Sequence, residues 1–428
     1  MHGNRNGFDD KQKDETELKM ENGKLRIKKA GSPKNRRFYG VQEAGSPKNR
    51  RFYGVQEAGS PKNRRFYGVQ EANSPKSPKT FWGTEGELRI KKIAITGGGT
   101  GGHLKIAKVI KEEFSKRGIK PVYIGSTSGA DKAWFENDTD FEAVYFLPSS
   151  GVVNKKGLGK VNSLLHILNL SFKAKKLLKK HRIEAVFSVG GYSAAPASFA
   201  AILSFIPLFI HEQNAHIGSL NRLLKPFAKR FFNTFIYNDP YPVEDVFFNT
   251  ARTRKKLTTV IFLGGSQGAV AINDLAVNLA EDLHKRGIKI IHQSGKRDFE
   301  RIKNFYKEKN IDAYVFDFDP NIAQKIQKAD FAVSRAGAST LFELAANRIP
   351  ALFIPYPYAA GDHQYHNAKF LTDKNAAFVI RQSDIDISQV KNLIFNADLK
   401  QISQNLASIN QKDGAKLITE EILKSLVN

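Results

Sequence analysis

With 428 residues, 41% of them hydrophobic and 11% aromatic, the chain has material for two ordinary cores and is not a disordered protein. It contains no cysteine, which excludes a disulfide framework and a thiolate metal site and fits a reducing compartment. The net charge is +25, and residues 1–92 hold 22 Lys and Arg against 11 Asp and Glu, leaving 45 against 31 for the rest. Both parts therefore favour anionic partners, whether phosphate substrate, anionic lipid or nucleic acid.

The N-terminal run MHGNRNGFDDKQKDETELKMENGK has no apolar segment of the kind a signal peptide needs. No stretch approaches the roughly 18–20 apolar residues of a membrane span, so the expectation is a protein that is soluble or rests on a membrane surface. Residues 1–86 read as a disordered appendage. The 14-residue unit AGSPKNRRFYGVQE occurs at 30–43, 44–57 and 58–71 and decays at 72–85. Such a unit buries no core and matches no solenoid period. Two readings stay open for it: a tether for nucleic acid or anionic lipid, with Arg-Arg-Phe-Tyr pairing charge and stacking, or a tolerated low-complexity expansion.

From residue 88 strands alternate with helices. Arg89–Thr96 reads as a strand and runs into Gly97-Gly98-Gly99-Thr100-Gly101-Gly102-His103, after which Leu104, Ile106, Ala107, Val109, Ile110 and Phe114 recur at helical spacing. A strand, a glycine turn and a helix opening are the parts of a phosphate or nucleotide site, because glycines let backbone N–H groups approach an anion at the positive end of the helix. Further strands fall at 122–125, 141–147, 184–189 and 207–214, the last ending in His211-Glu212-Gln213-Asn214. Ligands of open parallel sheets collect outside such carboxyl ends. Residues 161–181 form a helix that is apolar first and cationic towards its end. Its composition fits equally a core-packing helix with a solvated Lys face and a hydrophobic patch with a basic rim for an anionic bilayer.

Residues 233–256 break the pattern and read as a linker. The second half then restarts the first: strand 258–263, glycine turn Gly264-Gly265-Ser266-Gln267-Gly268, and helix 269–286. Strands at 289–293, 313–316, 331–334 and 350–355 follow, and an amphipathic helix closes the chain at 414–426. Two such openings about 165 residues apart imply an α/β protein of two Rossmann-like halves facing across a cleft. No acidic residue closes the second strand of the first half, which disfavours NAD and suits a sugar nucleotide. The expected boundaries are 1–86 for the tail, 87–250 and 251–413 for the two domains, and 414–428 for the last helix.

GGGTGGH, SVGGYSAAP, IHEQNAHIGSLNR, FLGGSQGAVAIN, SRAGASTLFELA and the DHQYHNA run, in this order and spacing, resemble the MurG family over roughly 90–428. That resemblance implies a GT-B glycosyltransferase that moves N-acetylglucosamine from UDP-GlcNAc to undecaprenyl-pyrophosphoryl-MurNAc-pentapeptide (lipid I), giving lipid II for peptidoglycan synthesis, with inversion and without cofactor or metal. It implies that Ser266 and Gln267 hold the UDP diphosphate, that Glu343 accepts from the ribose hydroxyls, and that Arg335 and Ala338 line the same ligand. His363 and Gln364 would bind the GlcNAc hydroxyls, Asn214 the donor sugar, and Thr100, Gly101 and Gly102 the sugar and acceptor pyrophosphate. His103 is the candidate base for the acceptor 4-hydroxyl, since an unperturbed imidazole titrates near neutrality. The implied setting is peripheral, on the cytoplasmic face of the bacterial inner membrane, with other cell-wall synthesis proteins as partners.

Two departures stand out. Tyr241-Pro242-Val243-Glu244 replaces the Asn-Pro-Val-Arg run at the domain junction, so that donor contact is missing or supplied by Arg252 or Arg254. Ile106 replaces a proline shortly after the first glycine turn. His211 and Glu212 are expected to shape their loop, and His292 and His366 to be structural. The rival functions are a GT-B transferase with another lipid or soluble acceptor and, for the tail alone, nucleic-acid binding.

Overall fold

The computed structural model describes residues 17–21, 24–28, 91–151, 158–265, 267–319, 321–409 and 411–427. The chain divides into two units, Met1–Thr84 and Glu85–Asn428. In the first, strands β1 (Glu17–Glu21) and β2 (Lys24–Lys28) pair antiparallel, with Glu17 opposite Lys28 and Glu21 opposite Lys24. This short ribbon lies inside the segment expected to be disordered throughout. The repeats at 30–71 lie outside the described residues.

The second unit is built on two parallel sheets. Strands β3 (Ile93–Thr96), β4 (Val122–Ser126), β5 (Ala143–Leu147), β6 (Ala185–Ser188), β7 (Leu208–His211) and β8 (Arg230–Phe232) form one, in the order β5-β4-β3-β6-β7-β8. Strands β9 (Thr259–Leu263), β10 (Lys289–Gln293), β11 (Ala313–Phe316), β12 (Phe331–Ser334), β13 (Ala351–Phe353) and β14 (Phe378–Val379) form the other, in the order β11-β10-β9-β12-β13-β14. Each sheet therefore reverses its winding beside its first strand, which leaves a crevice at the carboxyl ends of β3 and β6 and of β9 and β12. The edge strands β8 and β14 carry no sequence signal of their own, being three and two residues long.

Helices α1 (Gly101–Ser115), α2 (Asp131–Phe135), α3 (Leu158–Lys180), α4 (Ala195–Ile202) and α5 (Ser219–Leu224) accompany the first sheet. Strand alternation sends Ile93, Ile95, Phe187 and Phe209 to a core shared with Leu104, Ala107, Ile110 and Phe114 of α1. Ala94, Val122, Val186 and Ile210 pack on the opposite face with Ala174 and Leu178 of α3 and Ala197 and Ala200 of α4. Burial on both faces explains why these strands read as continuous apolar runs.

The segment expected to be a linker is folded. It holds α6 (Thr234–Tyr237) and α7 (Asp245–Asn249), and Tyr241 and Phe247 are buried in the core that reaches both domains. The cause is aromatic packing: Tyr241 stacks on Phe342 at 4.1 Å between ring centroids, and Phe235 lies 5.3 Å from Phe342 and 5.0 Å from Phe370. Each such pair contributes about 0.5–1.5 kcal/mol beyond its buried area.

Helices α8 (Val270–Lys285), α9 (Phe299–Glu308), α10 (Ala323–Ile326), α11 (Ala338–Ala346), α12 (His363–Thr372), α13 (Ile387–Asn396) and α14 (Leu399–Leu406) build the second half around its sheet. The last helix, α15 (Gly414–Lys424), crosses back to the first. Arg117 reaches Glu420 at 3.2 Å and Arg230 reaches Glu421 at 2.6 Å.

Candidate active site between two strand-end turns

At the end of β3, Gly97, Gly98 and Gly99 have φ of +111°, +159° and +81°. The turn presses on the one after β6: Gly98 N–H donates to Gly190 O at 3.1 Å, and a Cβ on Gly97 would sit 2.4 Å from that same oxygen. Only glycine fits there. Asp131 pins the other side. Its fully buried carboxylate accepts from Gly99 N–H at 2.5 Å and Ser126 N–H at 3.0 Å. Tyr192 covers the turn, with its hydroxyl donating to Ser128 O at 2.9 Å and its ring where a Gly99 side chain would lie. Neither Asp131 nor Tyr192 carries a periodicity signal that marks it in the sequence.

Thr100 is the extended N-cap of α1, and Gly101 and Gly102 are its first residues. His103, half-buried, points both ring nitrogens at partners: Nδ1 lies 2.8 Å from Thr100 Oγ1 and Nε2 lies 2.9 Å from Gln213 Nε2. An amide nitrogen only donates, so His103 Nε2 accepts and Nδ1–H donates to the threonine. Withdrawal from water, aided by His363, pulls the His103 pKa down to about 4. The near-neutral titration expected of an unperturbed imidazole does not hold here, because burial penalises the cation. The ring is uncharged at neutral pH, and its one unprotonated nitrogen, Nε2, faces the Gln213 amide.

Gln213 belongs to the loop leaving β7, and its neighbours hold that loop rigid. Buried Glu212 accepts from Asn214 N–H and Gly218 N–H at 2.9 Å each and from Asn221 Nδ2 at 2.9 Å. This is the shaping role expected of Glu212. His211 is buried beside Tyr241, its pKa lowered to about 3 by burial and by His103.

Across the crevice, the turn after β9 is held by Gly264 N–H donating to Gln293 O at 3.1 Å and by Gly268, whose Cβ would lie 2.5 Å from Ser294 O. Gln267 is exposed at its crest, ahead of α8; Ser266 lies outside the described residues. Arg335, at the end of β12, turns its guanidinium onto Ile354 O and Pro355 O at 3.0 Å each and onto Gln382 Oε1 at 2.8 Å, bracing the loop after β13. Gln364 Oε1 accepts from Tyr356 N–H in that loop at 2.9 Å, and His363 Nδ1 lies 3.0 Å from Ala360 O. Ala338 is buried at the start of α11.

The two halves meet through these same residues. Ser339 Oγ, one residue into α11, donates to Gly102 O at 3.2 Å. Lys105 of α1 pairs with Glu343 of α11 at 2.5 Å, so the carboxylate expected to hold ribose is buried and engaged in this conformation. Burial raises the Glu343 pKa and Lys105 opposes that rise. Asn214 accepts from Asn367 Nδ2 at 3.1 Å, while Ala215 N–H donates to Asn367 Oδ1 at 2.9 Å, which makes Asn214 a cross-domain contact.

The junction arginines are occupied elsewhere. Arg252 pairs with Asp330 at 2.7 Å, and fully buried Arg254 donates to Ala329 O at 3.2 Å, to Arg252 O at 2.9 Å and to Asn347. Neither replaces the missing donor arginine; Glu244, in its place, accepts from Lys108 at 3.3 Å. His292 is structural as expected, bridging Tyr306 and Asn273 at 3.0 Å each.

This geometry agrees with what the chain is similar to. Residues 93–233 match the glycosyltransferase family 28 N-terminal domain and residues 259–422 the C-terminal domain. A UDP-N-acetylglucosamine--N-acetylmuramyl-(pentapeptide) pyrophosphoryl-undecaprenol N-acetylglucosamine transferase of a Nitratiruptor species is 57% identical over 337 residues, 78% of this chain and 99% of that protein. One of the same name from Campylobacter jejuni (serotype O:6) is 55% identical over 332 residues, 77% of this chain and 97% of that protein. Among solved structures, Acinetobacter baumannii MurG superposes with a TM-score of 0.65 at 27% identity, over 78% of this chain and 99% of that one. Two sheets of one winding, glycine turns at their facing ends and identity above one half across the relatives' length place this chain in the MurG family of UDP-GlcNAc-dependent glycosyltransferases.

Proposed function

We propose that the chain transfers GlcNAc from UDP-GlcNAc to the 4-hydroxyl of MurNAc in lipid I, forming lipid II with inversion at the anomeric carbon. The observation that carries the site assignment is the direct meeting of the first turns of α1 and α11, Gly102 O with Ser339 Oγ at 3.2 Å, beside His103 on one side and α12 on the other. The turn at 264–268, with Ser266 and Gln267, takes the diphosphate at the positive end of α8, where charge on the departing UDP is stabilised. Glu343 receives the ribose hydroxyls as Lys105 gives way, and His363 and Gln364 contact the sugar. The acceptor oxygen forms its bond to the anomeric carbon as the bond to the diphosphate breaks, its electron pair leaving with UDP and the acceptor proton passing to His103.

The acceptor is a lipid, and α3 presents a surface suited to it. Ile167, Leu170, Ala174 and Leu178 face the core, while Leu164, Leu165, Leu168 and Phe172 are 46–60% exposed. Lys173, Lys175, Lys176, Lys179 and Lys180 follow on the same helix. Its buried face packs the core, and its exposed strip supports the membrane reading of its sequence. No helix among the described residues is long and apolar enough to cross a membrane. An apolar strip flanked by lysines seats a protein on an anionic bilayer peripherally, here the cytoplasmic face of the inner membrane, where cell-wall synthesis partners would meet it. Incubation with labelled UDP-GlcNAc and a lipid I analogue tests the reading: labelled lipid II is expected, and turnover confined to a different acceptor would overturn it.

A further inference from the structure

We infer that Gln213 is a positioning residue for the transfer: its amide fixes the tautomer and plane of the His103 ring, and the acceptor hydroxyl reaches Nε2 by taking the place of that amide. This rests on the reading of His103 as the base. Three observations converge on it. Gln213 is buried and its Nε2 stands 2.9 Å from His103 Nε2, which leaves Thr100 Oγ1 as the partner of Nδ1–H. Gln213 Oε1 is buried and has no hydrogen-bond partner among the described residues. The backbone on both sides closes on this pair: a Cβ on Gly102 would lie 3.1 Å from Gln213 Oε1, and one on Gly190 would lie 3.5 Å from His103 Nε2.

An orphaned amide oxygen costs free energy in the resting state. It gains a partner once His103 carries a proton on Nε2 and the acceptor oxygen has moved off, because the amide then returns turned by half and presents Oε1 to the new donor. The proton moves from the acceptor hydroxyl to Nε2 while the oxygen bonds to the anomeric carbon and UDP departs with the electron pair. The amide thus holds the lone pair ready before reaction and receives the N–H after it. Glutamine suits both states, since it donates with one atom and accepts with the other. The other titratable groups near the ring are His211 on the β7 side and His363 on α12. The Glu212 carboxylate is turned away onto Gly218 and Asn221.

The full chain with ¹⁵N-labelled histidine, and Gln213→Leu and Gln213→Glu beside it, provides the test. In the wild type the His103 ring, assigned by its loss in His103→Asn, is expected to show an unprotonated Nε2 and a protonated Nδ1 at neutral pH. Gln213→Leu is expected to lower kcat by about 10-fold to 100-fold, a share of what a positioned base supplies, with UDP affinity unchanged. Gln213→Glu sets an anion against Nε2 and favours the imidazolium. Its acidic limb of kcat/KM, where the neutral ring is lost as pH falls, should move up by about 1–3 pH units. A wild-type ring protonated on Nε2, or a Gln213→Glu profile that superposes on the wild type, would overturn the inference. If His103→Ala turned over normally, the base assignment itself would fail, while the tautomer measurement would still report on Gln213 alone.

Discussion

The two sheets of this protein share one strand order, yet the two halves differ in how fully their buried polar groups are satisfied. In the second half Arg335, Gln364, His292 and Asn367 all have partners within hydrogen-bond distance. In the first half, buried Gln213 Oε1, Asn221 Oδ1, Ser193 Oγ and both nitrogens of His211 lack one among the described residues. These groups of the second half are satisfied in place, while the first half keeps unspent hydrogen-bonding capacity beside an uncharged imidazole. Equal topology thus supports unequal tasks, because function resides in what the strand ends carry.

The sharpest way to break this contrast is to remove the proposed base from the less satisfied half. His103→Ala is expected to lower kcat by about 10²–10⁴-fold while UDP binding, measured calorimetrically, stays intact. Equal loss of both would mean that the halves are not divided as described. Next comes Leu165→Glu combined with Leu168→Glu, which places two anions on the exposed strip of α3. With about 1.5–3 kcal/mol lost per leucine no longer buried, binding to vesicles of anionic phospholipid should fall by more than 100-fold. Transfer to a short-chain soluble acceptor should persist. Unchanged vesicle sedimentation would locate the docking surface elsewhere.

Substitutions in the second half should act on binding. Ser266→Ala and Glu343→Gln are each expected to raise the donor KM roughly 10-fold, the scale of one hydrogen bond to a charged group, with kcat less affected. A fall in kcat at constant KM would shift chemistry onto the second half. The smallest effect concerns stability. Burial sets the His292 pKa at about 3, below the roughly 6.5 of an unfolded histidine. The unfolded chain therefore takes up the proton first as pH drops, and the stability present above pH 6.5 is lost towards pH 3. Between pH 7 and 5 this amounts to about 2 kcal/mol. His292→Asn should flatten urea-unfolding free energies by that amount over the same range, and an unchanged slope would contradict the burial argument.

Much of this division was legible in the chain. Parallel strands buried on both faces leave apolar runs that cannot be mistaken, and glycine turns mark their reactive ends. What escaped reading was short or non-local. The strands β8 and β14 are too brief to show a period, and the segment 233–256 looked like a linker because its order comes from Phe342 and Phe370, about a hundred residues away. Arg254 read as a candidate donor contact, since nothing local announces that Asn347 and Ala329 surround it. The residues proposed for the glycosyl site stand in their motifs, but the Lys105 pairing of Glu343 and the lowered pKa of His103 arise only when the domains meet.

A crystal structure of the chain with UDP-GlcNAc tests the division of labour most directly. The expected result is a diphosphate over the N-terminus of α8, ribose on Glu343 with Lys105 displaced, and the anomeric carbon turned towards His103. A nucleotide seated on the turn at 97–103, or outside the crevice between the sheets, would contradict it.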